Sequence, residues 1–200
     1  MNTVINGCSF TRILQASYYI QSKAPSSNPY RFDILYLLKM IFFADRYHLR
    51  NYGITATGDY YYAMKRGPVA STTFDLLKGR YEKHSSAIQA IDEYNVQIKP
   101  QGKDELSKSF KEAMNFALKE FGDFDKEKMS DISHCYPEWK KHEKKLLRIK
   151  SVRMNEMDFF ENPDDSHFKK FGKKCDPFKE EDEEFLALKK EHYHAYHASR

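Results

Sequence analysis

The chain has few of the residues that mark specialised protein classes. Its three cysteines, Cys8, Cys135 and Cys175, are odd in number, lie far apart and form no CxxC pair. A zinc ribbon and a thioredoxin motif are thereby excluded. Eight glycines and seven prolines in 200 residues are too few for a collagen-like or linker protein. No apolar run approaches the ~18–20 residues of a membrane-spanning helix; the longest, Phe32 to Ala44, is interrupted by Asp33 and Lys39. Neither GxGxxG nor GxxxxGK[ST] occurs, so Gly58 and Gly67 do not belong to a phosphate cradle. The opening MNTVINGCSFTRILQ has neither the charged nor the apolar region of a signal peptide, and a reducing cytoplasm is the expected setting.

Aromatic residues, by contrast, are abundant: 15 Phe, 14 Tyr and one Trp, 15% of the chain. A disordered chain would be poor in them. The length suits one large domain that buries roughly 70% of its unfolded surface without staples. The net charge of +4 is unevenly spread: residues 1–100 hold 12 Lys/Arg and 7 Asp/Glu, residues 101–200 hold 21 and 22. Short basic pairs such as Lys140-Lys141 and Lys144-Lys145 read as a solvated helix face, and no concentrated basic stripe marks a nucleic-acid binder.

Hydrophobic spacing orders the chain into mostly helical elements. Residues 10–21 form an amphipathic helix with Phe10, Ile13, Leu14, Tyr18 and Ile20 on or near one face. After a loop, Asn28 and Pro29 suit the start of a helix over about 30–50, apolar nearly all round and therefore central to the fold. Gly53 supplies its stop. Thr57-Gly58-Asp59 is a turn with a positive φ at Gly58, followed by a strand over Tyr60 to Met64 in which Tyr60, Tyr62 and Met64 alternate with Tyr61, Ala63 and Lys65. Arg66-Gly67-Pro68 closes that strand at a strand-to-helix corner, and Ser71 caps a helix running to Lys78, with Gly79 past its end. Tyr94 to Lys99 alternates as a second strand, expected to pair with the first. Phe110, Met114, Ala117, Leu118 and Phe121 define the cleanest helix, capped by Ser107 or Ser109 and stopped by Gly122. Pro137 opens a helix with Trp139 and Leu146 inward. Beyond residue 150, Asn162 to Asp165 start a short helix bearing Phe168 and Phe171. Asp176-Pro177 start a last one, its acids (Glu180 to Glu184) ahead of Lys189 and Lys190 as the helix dipole prefers, with Phe178, Phe185, Leu188, Tyr193 and Tyr196 along one strip.

The segment LLKMIFFADRYHLRNYG (residues 37–53) leads to TGDYYYAMKRGPVAS (57–71), and further on come Leu106-Ser107, Ala117 to Gly122, and Ser133-His134 with Pro137-Glu138-Trp139. In order, these blocks resemble the Panacea domain, the SocA-like antitoxin family also found in phage-associated proteins. The likeness spans about residues 10–150. Arg66 stands where that family usually has Tyr, and Ala70 where it has Pro. The resemblance implies a compact α+β domain, mainly α-helical, with a small two- or three-stranded antiparallel sheet over residues 1–150, and a helical C-terminal extension over 151–200 packed on it. Its motif residues would be Asp45, Gly53, Gly58, Asp59, Gly67, Pro68, Val69, His134 and Trp139 in structural roles. Its members neutralise a protein toxin by direct binding, as in type II toxin–antitoxin systems, and some act as proteolytic adaptors. The expected partner is thus a cognate toxin encoded by an adjacent gene; the alternative is a proteolytic adaptor, with a AAA+ protease as partner, or a phage-associated regulatory protein. No catalytic, metal or cofactor residues are implied.

The chemistry-bearing residues agree with a binding protein. His134-Cys135 has no third member nearby; His192, His194 and His197 sit at i, i+2 and i+5, where a zinc helix uses i, i+4. Asp45, Arg46 and His48 look like an acid–base cluster, but a capping or buried ion-pair role fits their divergent directions better. Half of the tyrosine row must face outward, and exposed Tyr suits an interface. The candidate partner surface is therefore Tyr61, Lys65 and Arg66; the alternative is that two of the three tyrosines pack on the central helix. An enzyme and a nucleic-acid binder are the weaker rivals.

Overall fold

A computed structural model describes residues 4–5, 8–81, 86–179 and 182–198. In chain order they form β1 (Val4–Ile5), β2 (Cys8–Ser9), α1 (Phe10–Lys23), α2 (Ile34–Tyr52), β3 (Tyr61–Met64), β4 (Gly67–Ala70), α3 (Ser71–Leu77), β5 (Ile88–Ala90) and β6 (Val96–Ile98). There follow α4 (Lys108–Phe121), α5 (Lys126–Ser133), the one-turn helices α6 (Pro137–Lys140) and α7 (Glu143–Leu146), β7 (Ser151–Arg153) and α8 (Glu183–Ala198). Two 3-10 segments, Glu156–Phe160 and Asp165–Phe171, lie between β7 and α8. The fold is α+β and mainly helical, with a small antiparallel sheet.

Helix α2 is the axis of the fold. Fifteen of its 19 residues are buried, so it must be covered on every side. Its face toward α4 and the tail carries Phe43, whose ring stacks on Phe121 at 4.0 Å. Phe42 meets Tyr61, Tyr136 and Phe159 within 6.1 Å. The helix begins later than Asn28 and Pro29 suggest, because Asp33 takes the first amides, accepting from Leu35 at 2.8 Å and Tyr36 at 3.2 Å. Asn28 instead accepts from the Tyr30 amide and donates to the Gly122 carbonyl. Gly53, with φ of 75°, ends the helix.

Helix α1 turns Tyr18 outward, contrary to the reading of its apolar face. Its inner face instead includes two buried glutamines that act as backbone surrogates. Gln21 donates to the Val96 carbonyl and accepts from the Ile98 amide, so it borders β6 as a neighbouring strand would. Gln15 holds the 101–105 segment in the same way.

The strands pair differently from expectation. β3 runs antiparallel to β4 through the two-residue turn Lys65-Arg66, with Met64 opposite Gly67, and antiparallel to β7 on its other side. Both of its edges are therefore occupied, and β6 pairs with β5 in a separate two-stranded sheet. Gly67 and Pro68 do not close the strand at a corner; they begin β4, an outer strand where the missing Pro amide is tolerated. Nor does Ser71 cap α3. Ala70 occupies the cap position with no side-chain bond, and Asp59, remote in sequence, accepts from the Thr72 and Thr73 amides.

Helix α4 shows the expected face, and Ser107 is its cap, accepting from the Phe110 amide. In the tail, β7 joins the central sheet, while Phe159, Phe160, Phe168 and Phe178 are buried in the same core as α2. The last helix does not start at Asp176-Pro177. Asp176 is buried and accepts from the Phe178 amide, while Asp182 accepts from Phe185 at the true start. The inward leucine is Leu186, and Leu188 faces out. The early acids Glu180 and Glu181 lie outside the described residues.

Candidate partner-binding groove

Two aspartates fix the connection from α2 to the sheet. Asp45 is fully buried and accepts from the Thr57 amide at 3.0 Å, the Thr57 hydroxyl, and the Tyr61 hydroxyl at 2.7 Å. Its partners are an amide and two hydroxyls; the buried ion pair considered from sequence for this cluster is formed instead by Arg46, with Glu138. Burial pushes its carboxyl up to about 6, against the lowering effect of these hydrogen bonds. Thr57 Oγ1 in turn accepts from the Asp59 amide, and Asp59 caps α3 as described. Gly58 makes the turn between them with φ of 71°. The chain Asp45–Thr57–Asp59 thus transmits the position of α2 to β3 and α3.

Tyr61 is therefore not a partner surface: it is 0% exposed, its hydroxyl is held by Asp45, and its ring lies 5.5 Å from Phe159. The alternation read from sequence is correct, but the face carrying Tyr61 and Ala63 is the one that meets α2. Tyr60 and Tyr62 are half-buried on the other face, edge to face at 6.1 Å, with Arg153 over Tyr60 at 4.4 Å. Lys65 and Arg66, at the tip of the β3–β4 turn, are exposed.

The later motif residues meet this hairpin from the other side. Gly67, with φ of 99°, leaves no room for a side chain, since an added Cβ would lie under 3.0 Å from both Ser133 Oγ and Lys39 Nζ. Lys39 is fully buried and donates to the Pro68 carbonyl at 2.9 Å; burial, with Arg66 nearby, holds its amine well below the ordinary lysine range. Trp139 donates its indole N–H to the Met64 carbonyl at 2.9 Å, and His134 stacks on Trp139 at 3.7 Å. Burial lowers His134 to about 4. His134 and Cys135 diverge: the thiol points at the Asp131 carbonyl. Gly53, at the far end of α2, is where α8 crosses closely, beside Lys189 and His192.

Over the hairpin lies an open apolar groove of about 680 Å³. Its floor comes from Leu35 and Leu38 of α2, Met64 of β3 and Val69 of β4; one wall is the segment Leu146 to Lys150 that links α7 to β7, and Phe74 and Tyr94 border it elsewhere. Leu147 is 85% exposed, Ile149 50% and Tyr94 59%. Large apolar side chains left this open along one groove are the kind of surface that interaction sites present. Lys65, Arg66, Lys78, Lys126, Arg148 and Lys150 ring the groove, against the single carboxylate of Asp33. Sequence reasoning named Lys65 and Arg66 but missed Leu147 and Ile149. Their signal was apolar residues interleaved with cations in KKLLRIK, a stretch in which the Lys144-Lys145 pair read as a solvated face and only Leu146 as inward.

A second, polar cavity of about 710 Å³ lies by the C-terminal part of α2. His48 borders it, with Nδ1 against the Ile54 carbonyl at 2.8 Å and Nε2 against Ser109 Oγ at 3.0 Å. A carbonyl only accepts, so Nδ1 carries the proton and Nε2 accepts from Ser109. Burial lowers the His48 pKa, favouring this neutral form. The pair lacks a carboxylate behind the imidazole and fastens the 54–58 loop to α4. Of the tail histidines, His192 packs by Gly53 and His197 lies 4.2 Å from the Tyr193 ring. No three metal-ligating groups converge among the described residues. Nor is any described helix long and apolar enough to cross a membrane.

Among known families, the model of the SocA-like antitoxin Panacea domain matches residues 37–140. No curated protein and no solved structure matches the chain.

Proposed function

Because the chain belongs to the SocA-like antitoxin family of Panacea domains, we propose that it neutralises a cognate protein toxin by binding it directly, in the cytoplasm and without chemistry of its own. The observation that carries this reading is the basic-rimmed apolar groove at the β3–β4 hairpin. It places exposed Leu147 and Ile149 beside Lys65 and Arg66, the mixture of apolar anchor and polar rim that protein interfaces use. The matched segment contributes Leu38, Met64 and Val69 of the groove floor and the Lys65-Arg66 turn, while Leu35, Leu147 and Ile149 lie just outside it. A stable complex would bury ~1,200–2,000 Å² in total, so the groove is the centre of a larger contact. Occlusion of the toxin's working surface is then sufficient for neutralisation.

The test is co-expression with the product of each adjacent gene. Growth arrest by one neighbour alone, rescue by this protein and co-purification of the pair would support the reading. If neither neighbour is toxic, or if a toxic one is not rescued, the reading fails. Rescue that requires a AAA+ protease would make the protein an adaptor instead.

A further inference from the structure

The groove specifies more about its occupant than that it is a protein. The β4 side of its floor does not accept strand addition. On β4, one of the sheet's two outer strands, Pro68 has no amide and its carbonyl is taken by Lys39, while the Arg66 carbonyl accepts from Ser130 Oγ. With the β4 edge blocked at Pro68 and large apolar side chains open along the groove, the occupant that fits docks through side chains, as an amphipathic helix does in a hydrophobic groove. The cavity of about 680 Å³ lies within the ~300–1,000 Å³ typical of concave binding sites.

The rim fixes the sign of the occupant's charge. Six cations face one carboxylate, and that carboxylate, Asp33, is already held by Lys126 at 2.9 Å and by the first amides of α2. Arg66 pairs with Glu127 in the open, where such a pair contributes little. Lys65, Arg148 and Lys150 make no ion pair among the described residues. A nucleic acid would use the rim but leave the apolar floor uncovered, whereas protein–nucleic acid interfaces are more polar than protein–protein ones. We propose that the groove receives an acidic amphipathic helix of the toxin, its apolar side chains at i, i+3, i+4 and i+7 on the Leu147–Ile149 wall and the α2 floor, its Asp and Glu against Lys65, Arg148 and Lys150. This rests on the toxin-binding reading above and adds the chemistry of the docking element. Complementary charge accelerates the encounter, and apolar burial holds it.

The probe is a synthetic helix of about 15 residues with Leu at those positions and Glu elsewhere, and a control with Lys in place of Glu. Trp139, the sole tryptophan, donates to the Met64 carbonyl on the groove floor, so its fluorescence reports occupancy; calorimetry gives the affinity. The acidic helix should bind and the cationic one should not, with affinity falling about tenfold or more between ~50 and ~300 mM salt. Leu147→Asp with Ile149→Asp, and separately Lys65→Glu with Arg148→Glu, should each abolish binding; these positions are exposed, and circular dichroism checks that the fold persists. Equal binding of both helices, or binding indifferent to either double variant, overturns the proposal. So does duplex binding that resists Leu147→Asp, which would make the rim a phosphate track, or self-association lost in the same variants, which would make the occupant a second copy. With a toxin in hand, neutralisation that survives both double variants overturns the groove and leaves the antitoxin reading intact. Binding of the acidic helix without any neutralised toxin does the reverse.

Discussion

Replacing Asp45 with Asn should stabilise this protein at neutral pH, although it removes a buried side chain that accepts three hydrogen bonds. The carboxyl rises from its ordinary 3.8 to about 6 because burial outweighs the bonds from Thr57 and Tyr61. A raised carboxyl means that the folded state holds a proton the unfolded state releases between about pH 4 and 6. Stability therefore falls as pH rises through that window and levels off above it. At about 1.36 kcal/mol per pH unit, the displacement corresponds to about 3 kcal/mol. Asn is the near-isostere of the protonated acid: its oxygen still accepts from the Thr57 amide, and its NH₂ faces hydroxyls that can rotate to accept. One hydroxyl reoriented poorly costs about 1–2 kcal/mol, so Asp45→Asn should gain about 1–2 kcal/mol at pH 7.5 and lose its advantage near pH 4. Urea unfolding followed by Trp139 fluorescence across pH 4–8 measures this. Asp45→Ala, which leaves the same donors without an acceptor, should instead lose about 2–4 kcal/mol. If Asp45→Asn is destabilised equally at both ends of the range, the buried charge is favourable and the reasoning is refuted.

Lys39→Met should flatten the alkaline side of the same profile. The wild-type amine is held low by burial, so the fold gains stability as pH rises toward the unfolded value of about 10.4; the Met variant should show no such rise in its urea midpoint between pH 7 and 10. Gly67→Ala should cost more than Gly79→Ala by about 2 kcal/mol or more, read as a lower melting temperature. Both have positive φ, but only Gly67 faces Ser133 and Lys39, while Gly79 faces open space. Arg50→Met should loosen the tail without unfolding α2, because Arg50 donates to the Phe159 and Phe178 carbonyls and to Asn162. Limited proteolysis between residues 160 and 182 should accelerate; unchanged cleavage would show that the aromatic contacts alone hold the segment.

What the sequence revealed followed from spacing and chemistry within each element. Helix α2 was visible as an all-round apolar run, α4 as a clean stripe, and the Tyr61–Met64 alternation as a strand. Pairing was less visible, because β7 is a three-residue segment, Ser151 to Arg153, with no pattern of its own. Its place is set by the edge of β3 left open by β4. The inward face of the tyrosine row was also undetermined, since period two gives two faces but not which one meets α2. A buried ion pair for Arg46 was legible, and it forms with Glu138; that Arg46 and Arg50 also rest on tail carbonyls more than 100 residues away was not. The groove was half-legible: its cations near the hairpin drew attention, but its apolar wall lay in a lysine-rich stretch whose exposure no periodicity reports.

The way those two arginines are buried has a consequence for synthesis. Arg46 donates to Glu138 and to the Glu161 carbonyl, and Arg50 reaches as far as Phe178. Until that part of the chain has left the ribosome, α2 carries two cations lacking those acceptors and an aromatic face lacking Phe159 and Phe178. Residues 159–178 thus complete the core around α2: a chain lacking them leaves this surface uncovered and open to proteolysis.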